Sequence, residues 1–125
     1  MARVLIVDDT DIVRRAVELA VLKMGHEPES TCDALVALRL AVSNPPALAL
    51  VDYRMPGMDG VELLSAMHDA LRERCPRVVF VTATPPEHVR ARTPAHLCAD
   101  GYVKKPFQLE ELERTVRLVL GEDRT

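Results

Sequence analysis

Acidic residues follow two short apolar runs of the sequence, and their type and position suit them to bind a cation. Asp8 and Asp9 follow residues 4–7, and Asp52 follows residues 47–51. Continuous apolar runs of this length are typical of strands that are buried on both faces. In an open parallel sheet the ligand crevice lies at the carboxyl ends of the strands, so these carboxylates are candidates for chemistry. Taken alone, Asp52 suits a loop-capping role equally well.

Three converging carboxylates repel one another and require positive charge nearby. The sequence supplies Lys105 after the run 100–104, and a second cation is still needed. Because the ligands on offer are all oxygens, Mg²⁺ is the favoured ion. A Mg²⁺ ion held by carboxylates beside a lysine suits phosphoryl transfer. Asp52 would then be the nucleophile that forms an aspartyl phosphate, and the Thr82 hydroxyl could bond a phosphoryl oxygen.

The elements that must position these residues alternate between strand and helix. Predicted strands cover residues 4–7, 27–31, 47–51, 78–81 and 100–104. Predicted helices cover residues 11–24, the segment from an Asp33 cap to about 43, 61–74, a short or broken helix that begins near Pro86, and 108–120. Five such alternations predict an α/β doubly wound parallel sheet with helices on both faces and right-handed crossovers.

Five strands favour the flavodoxin-like order 2-1-3-4-5, which sets the first and third strands side by side. Asp8, Asp9 and Asp52 then share one crevice. The polar second strand suits a sheet edge, where Pro28 is tolerated. Leu35, Leu38 and Val42 are expected on the apolar face of the second helix, and the residues expected on the buried side of the last helix are Leu109, Leu112, Val116 and Val119.

Composition limits the classes of function. The chain has 125 residues with 16 Lys and Arg against 19 Asp and Glu, so no polybasic surface for nucleic acid or anionic lipid is expected. The histidines and cysteines show no metal-ligand spacing, and Cys32, Cys75 and Cys98 are expected to be reduced and mostly buried. Neither a signal peptide nor a membrane helix is expected, which predicts a cytoplasmic protein with one domain over 1–121 and a short tail at 122–125.

Four motifs together resemble the receiver domain of bacterial response regulators, over essentially the whole chain. They read V-D-D-T-D at 7–11, V-D-Y-R-M-P-G-M-D-G at 51–60, V-T-A-T at 81–84 and Y-V-K-K-P-F at 102–107. The resemblance implies a CheY-like fold and a two-component phosphorelay. In this family the residue that matches Asp52 is phosphorylated by a histidine kinase or a phosphotransfer protein.

The resemblance also implies roles for the neighbouring residues. Asp9 and Asp52 match direct Mg²⁺ ligands, together with the backbone carbonyl of Arg54, while Asp8 acts mainly through metal-bound water. Lys105 matches the lysine that contacts the phosphoryl group, and its bond to Pro106 is expected to be cis.

Two further matches concern signalling. Thr82 matches the switch hydroxyl and Tyr102 the aromatic residue that turns inward after it. The expected output surface is the face formed by the fourth helix, the fifth strand and the fifth helix, although Pro94 departs from the family pattern there. The expected mechanism is a two-state switch in which charge on Asp52 repacks this face.

The favoured function is therefore a phosphoacceptor switch that assists its own phosphorylation and dephosphorylation and is not otherwise an enzyme. Expected partners are a histidine kinase or phosphotransfer protein and an unidentified effector, without direct binding to nucleic acid or membrane; whether phosphorylation drives homodimer formation stays open. A Mg²⁺-dependent phosphatase is disfavoured because Arg54 stands where a general acid is expected. A flavodoxin-like cofactor binder is disfavoured because the loops present carboxylates. A degenerate receiver that acts by binding alone is the remaining alternative.

Overall fold

The computed structural model describes residues 1–122, so most of the tail expected at 122–125 lies outside the described residues. The elements follow one another in the order β1 (Arg3–Val7), α1 (Asp11–Lys23), β2 (Glu27–Thr31), α2 (Ala34–Ser43), β3 (Leu48–Val51), α3 (Gly60–Leu71), β4 (Arg77–Thr82), α4 (Pro86–Arg92), β5 (Gly101–Lys104) and α5 (Leu109–Leu120).

The five strands form one parallel sheet in the order β2-β1-β3-β4-β5, which confirms the predicted fold class. The strand β2 lies at an edge, as its polar sequence predicted. In the pairing of β1 with β3, Val7 lies opposite Val51, and the Asp52 N–H donates to the Val7 carbonyl oxygen at 2.9 Å. Asp8 and Asp52 therefore leave the sheet from adjacent strands at the same level.

The two faces of the sheet carry different helices, because alternate strand residues point to opposite sides. Leu5, Val51 and Phe80 pack with α2, α3 and α4 on one face. Ile6 and Val81 pack with α1 and α5 on the other. These side chains are almost fully buried, and burial of each large apolar side chain contributes about 1.5–3 kcal/mol. The sheet is thus held rigidly beneath the loops at its carboxyl edge.

The buried face of α2 differs from the expected one. Ala34, Ala37 and Ala41 face the core, whereas Leu35 and Val42 are 52% and 45% exposed. Of the three residues expected on the apolar face, Leu38 alone packs against the core, and it is partly buried. The row of alanines and the row of larger apolar residues both have helical spacing. The small alanine side chains let α2 lie close to the sheet and to its neighbour α3. Along α5 the expectation was correct for Leu112, Val116 and Val119, which are buried, and wrong for Leu109, which is 46% exposed in the first turn.

The remaining differences concern where the helices α3 and α4 end. The helix α3 ends at Leu71 rather than at 74, and a single 3-10 turn (Arg72–Arg74) follows, with Arg72 at φ 54°. As its prolines predicted, α4 is short, and Pro94 lies beyond its end.

The expectation of mostly buried thiols was wrong. Cys32 and Cys98 are exposed because they lie in connecting loops, and Cys75 is half-buried; all three are free. Within residues 1–122, no helix combines the length and the apolarity that crossing a membrane requires.

Candidate functional site

Lys105 joins two carboxylates at the carboxyl edge of the sheet. Its Nζ lies 2.7 Å from Asp8 Oδ2 and 3.0 Å from Asp52 Oδ2. Asp8 and Asp52 are only 3% and 6% exposed, so these ion pairs are largely shielded from solvent. Asp9 is exposed at the rim of the same crevice. The structure therefore brings together the four charged residues that the sequence singled out.

The three carboxylates lie close enough to share a cation. One oxygen of each of Asp8, Asp9 and Asp52 lies within 4.8 Å of the other two. Three formal negative charges meet one positive charge, that of Lys105, which leaves two uncompensated negative charges in the cluster. A donor set made only of oxygens, with a net charge of this sign, fits a hard divalent ion such as Mg²⁺.

Backbone amides orient the two buried carboxylates. Asp8 Oδ1 accepts a hydrogen bond from the Thr10 N–H at 2.9 Å. Asp52 Oδ1 accepts one from the Arg54 N–H at 3.2 Å. Because each Oδ2 bonds Lys105 while each Oδ1 bonds an amide, both side chains are held in fixed directions.

Lys105 stays charged in this setting. Burial by itself lowers the pKa of its ammonium group, but the hydrogen bonds and the negative charges of Asp8 and Asp52 outweigh burial and raise the pKa above its ordinary value. The backbone places the side chain here, since the Lys105 N–H donates to the Thr82 carbonyl oxygen at 2.9 Å. The Lys105–Pro106 bond is cis, as the resemblance implied, and the preceding residue, Lys104, is exposed.

A close turn between β3 and α3 shapes the loop that carries Asp52. The Gly60 N–H donates to the Tyr53 carbonyl oxygen at 2.8 Å. A Cβ on Gly60 would lie 2.7 Å from the Asp52 carbonyl oxygen and 2.9 Å from Tyr53 Cα, so only glycine fits. The helix then starts with a capping box, in which Asp59 and Glu62 each accept a hydrogen bond from the other's backbone amide.

The two residues with expected switch roles lie in different settings. Thr82 is 4% exposed at the end of β4, and its Oγ1 accepts a hydrogen bond from the Thr84 N–H at 3.3 Å. Tyr102 is half-buried, and its ring stacks on Phe80 with centroids 6.0 Å apart.

Arg90 of α4 also contacts Tyr102, with its Cζ 4.6 Å from the ring centroid. Burial raises the pKa of Tyr102, although the positive charge of Arg90 acts in the opposite direction. Sequence reasoning missed Arg90; its cation–π contact links α4 to β5 and depends on their relative placement.

A cavity of about 470 Å³ adjoins the carboxylate cluster at Asp9. Basic side chains contribute to its walls: Arg54 from the loop after β3, and His88 and Arg92 from α4. The His88 ring meets the ring of Tyr53 edge to face, with centroids 6.2 Å apart. One sequence signal for this wall is that α4 carries His88, Arg90 and Arg92 at alternate positions, although this spacing does not show which of them face the site.

Comparisons with known proteins agree with this arrangement. A family model described as response regulator receiver domain matches residues 4–117. Regulatory protein AtoC of Escherichia coli (strain K12) is 38% identical over 119 residues, which cover 94% of this chain and 25% of AtoC. Transcriptional regulatory protein TctD of Salmonella typhimurium (strain SL1344) is 34% identical over 119 residues, covering 94% of this chain and 51% of TctD. The chain thus spans about a quarter to a half of the length of these relatives.

Solved structures show the same architecture. Chemotaxis protein CheY4 of Vibrio cholerae superposes with a TM-score of 0.85 at 30% identity, covering 95% of this chain and 98% of that one. The receiver domain of sensor histidine kinase PA1611 from Pseudomonas aeruginosa PAO1, described with a magnesium ion coordinated in its active site cleft, gives a TM-score of 0.84 over 96% of this chain and 98% of that one. Its identity is 22%, so this second likeness concerns the fold alone.

Proposed function

This chain belongs to the family of response regulator receiver domains, and we propose that it is a phosphorylation-activated switch of a two-component phosphorelay, with Asp52 as the phosphoacceptor. The observation that supports this most strongly is the ion-paired cluster, in which Lys105 Nζ lies 2.7 and 3.0 Å from two buried carboxylates. The proposed receiver domain covers residues 1–121.

The residues fit a Mg²⁺ site. Asp9, Asp52 and the backbone carbonyl of Arg54 would hold the ion, with Asp8 beside it. When bound, Mg²⁺ supplies positive charge that neutralises the developing charge on the phosphoryl oxygens.

The chain's own groups perform the remaining tasks. Asp52 presents a carboxylate oxygen as the nucleophile, and the amide of Arg54 holds the other oxygen of that carboxylate in place. Lys105 keeps its positive charge because its pKa is raised, so it stabilises negative charge on the incoming group. Thr82 donates its hydroxyl hydrogen to a phosphoryl oxygen, and this hydrogen is not used in the bond that its Oγ1 accepts from the Thr84 N–H.

Signalling follows from the movement of Thr82. When its hydroxyl turns toward the phosphoryl group, space opens beside β4, and the half-buried ring of Tyr102 moves inward along Phe80. Since Arg90 rests on the same ring, the movement repacks α4 against β5. The face of α4, β5 and α5 is the proposed output surface.

The proposed partners are a histidine kinase or phosphotransfer protein as phosphoryl donor and an effector protein that binds the output surface, in the cytoplasm. The chain acts as a phosphoacceptor that assists its own phosphorylation and dephosphorylation, rather than as an enzyme for a separate substrate. Phosphorylation could also drive formation of a homodimer, which the experiment below measures on the same samples as the switch.

Hydrogen exchange of backbone amides tests the switch. With Mg²⁺ and a small-molecule phosphoryl donor, amides of α4 and β5 are expected to change protection in the wild-type protein and not in Asp52→Asn. In Thr82→Ala the phosphoryl group should still be accepted, but the change at α4 and β5 should be much smaller. A full change in Thr82→Ala would contradict the proposed switch, and light scattering on the same samples reports any dimer.

A further inference from the structure

We propose that His68 and His96 form a binding site for a zinc ion. Their rings meet edge to face, with centroids 5.7 Å apart and planes inclined by 69°. The two residues lie far apart in the sequence, so only the fold brings them together. This inference goes beyond the proposed function, because it gives the zinc ion no part in phosphoryl transfer.

The histidine pair lies at the edge of the sheet opposite the carboxylate cluster. His68 belongs to the last turn of α3, which leads into β4. His96 belongs to the loop between α4 and β5, which leads into β5. Because these strands are parallel, both histidines lie toward the amino ends of the strands, whereas the cluster follows the carboxyl ends. The two candidate sites therefore share no residue.

One ring nitrogen of His68 lacks a partner. Its Nδ1 is buried, and no group among residues 1–122 forms a hydrogen bond with it. Asp69 Oδ1 lies 3.9 Å away, which is too far for a hydrogen bond. A buried polar atom that stays unpaired is unfavourable, and a bound metal ion would supply the missing partner. The carboxylate of Asp69 and the carbonyl end of α3 both favour a cation at this position.

The loop that carries His96 is anchored around that residue. The Leu97 N–H donates to the Pro94 carbonyl oxygen at 2.9 Å, and Leu97 packs against the core. At the end of the loop, the Asp100 N–H donates to the Val78 carbonyl oxygen at 2.7 Å, and Asp100 Oδ2 accepts from the Val78 N–H at 2.8 Å. The His96 side chain itself is exposed, so its backbone is held while its ring is free to turn.

The separation of the rings suits two ligands of one zinc ion. Zinc binds histidine nitrogen at about 2.0–2.1 Å with tetrahedral geometry, which places the centroids of two such rings about 5.2 Å apart. The observed separation of 5.7 Å is close to this value. Because the χ2 torsion of histidine is broad, rotation of the rings can direct one nitrogen of each toward the same ion. Water or the exposed carboxylate of Asp69 would complete the coordination.

The donor atoms select zinc over magnesium. Imidazole nitrogens suit Zn²⁺, whereas Mg²⁺ takes oxygen ligands, so excess Mg²⁺ can fill the carboxylate cluster without competing for the histidines. The other two histidines have different partners. His26 Nδ1 accepts a hydrogen bond from the Ala2 N–H at 3.0 Å, and the ring of His88 meets that of Tyr53.

Calorimetric titration with zinc chloride in excess Mg²⁺ tests the site. The wild-type protein is expected to bind one zinc ion. His68→Gln and His96→Gln should each weaken binding by about tenfold or more, because each removes one of two protein ligands. His88→Gln is the matched control and should bind zinc as the wild type does. NMR spectra of the histidine ring nitrogens should shift with zinc at His68 and His96 and not at His26.

Hydrogen exchange supplies a second readout, since a bound ion would tie the loop before β5 to α3. Amides of residues 95–99 should exchange more slowly with zinc in the wild-type protein and not in His96→Gln. The site would be overturned by a wild-type protein that binds no zinc, by unchanged affinity in both His68→Gln and His96→Gln, or by an equal loss in His88→Gln. Loss of zinc binding in Asp9→Asn would place the ion in the carboxylate cluster and would also overturn the site.

Discussion

Replacement of Asp9 by Asn should have opposite effects on stability with and without Mg²⁺. Without the ion, the substitution removes repulsion from Asp8 and Asp52, whose oxygens lie within 4.8 Å. At that distance two unit charges in bulk water repel by about 0.9 kcal/mol, so two pairs amount to about 1.7 kcal/mol. Lys105, which contacts both neighbours, attracts Asp9 and offsets roughly one pair. Without the ion, Asp9→Asn is therefore expected to raise the free energy of unfolding by about 1 kcal/mol, which corresponds to about 4 °C in Tm for a domain of this size.

With Mg²⁺ the sign reverses, because Asp9 is a proposed direct ligand. At about ten times its Kd, an ion that binds only the folded state stabilises it by about 1.4 kcal/mol. The wild-type protein should show this stabilisation and Asp9→Asn should lose most of it. Thermal unfolding in EDTA and in a Mg²⁺ titration measures both effects on the same samples.

The control is Asp69→Asn, an identical change at an exposed position of α3 outside the cluster. It should shift stability by less than about 0.5 kcal/mol and leave the response to Mg²⁺ intact. A loss of stability in EDTA for Asp9→Asn would refute the repulsion argument. An undiminished response to Mg²⁺ would refute the assignment of Asp9 as a ligand.

Other perturbations test the loop, the helix start and the thiols. Gly60→Ala should destabilise the protein by about 1–3 kcal/mol in urea unfolding, because its Cβ would lie 2.7 Å from the Asp52 carbonyl oxygen; the gain in stability that helix propensity alone predicts would contradict the close approach. Asp59→Ala should lower stability by about 1 kcal/mol, since the capping box is lost, and an unchanged Tm would show that the cap contributes nothing. Burial raises the pKa of the Cys75 thiol, so at mildly alkaline pH less of it is thiolate, and iodoacetamide should modify it more slowly than exposed Cys98. Peptide mass spectrometry measures the two rates; the rate at Cys75 should rise toward higher pH, and equal rates at both cysteines would argue against the effect of burial.

The sequence predicted the sheet because β1, β3 and β4 are short apolar runs with a clear end, and the polar run of β2 suited a sheet edge. The order of the strands followed from their number and alternation, and it placed the acids of β1 and β3 on one edge. Lys105 could be assigned for the same reason, since it comes directly after β5. Local sequence patterns therefore sufficed to place each site residue that directly follows a strand.

Contacts between elements could not be read from the sequence in this way. The stripes of leucine and alanine on α2 both have helical spacing, and only the closeness of the sheet selects Ala37 over Leu35 for burial. The requirement for glycine at position 60 depends on two backbone atoms of the preceding loop. The contact of Arg90 with Tyr102 depends on where the short helix α4 lies relative to β5.

The central claim is that Asp52 accepts a phosphoryl group with the help of Mg²⁺. Intact mass spectrometry after incubation with Mg²⁺ and a small-molecule phosphoryl donor tests this most directly, with Asp52→Ala and a chelator as controls. The expected result is a labile increment of one phosphoryl group that disappears in both controls. No increment in folded wild-type protein, or an increment that persists in Asp52→Ala, would contradict the claim.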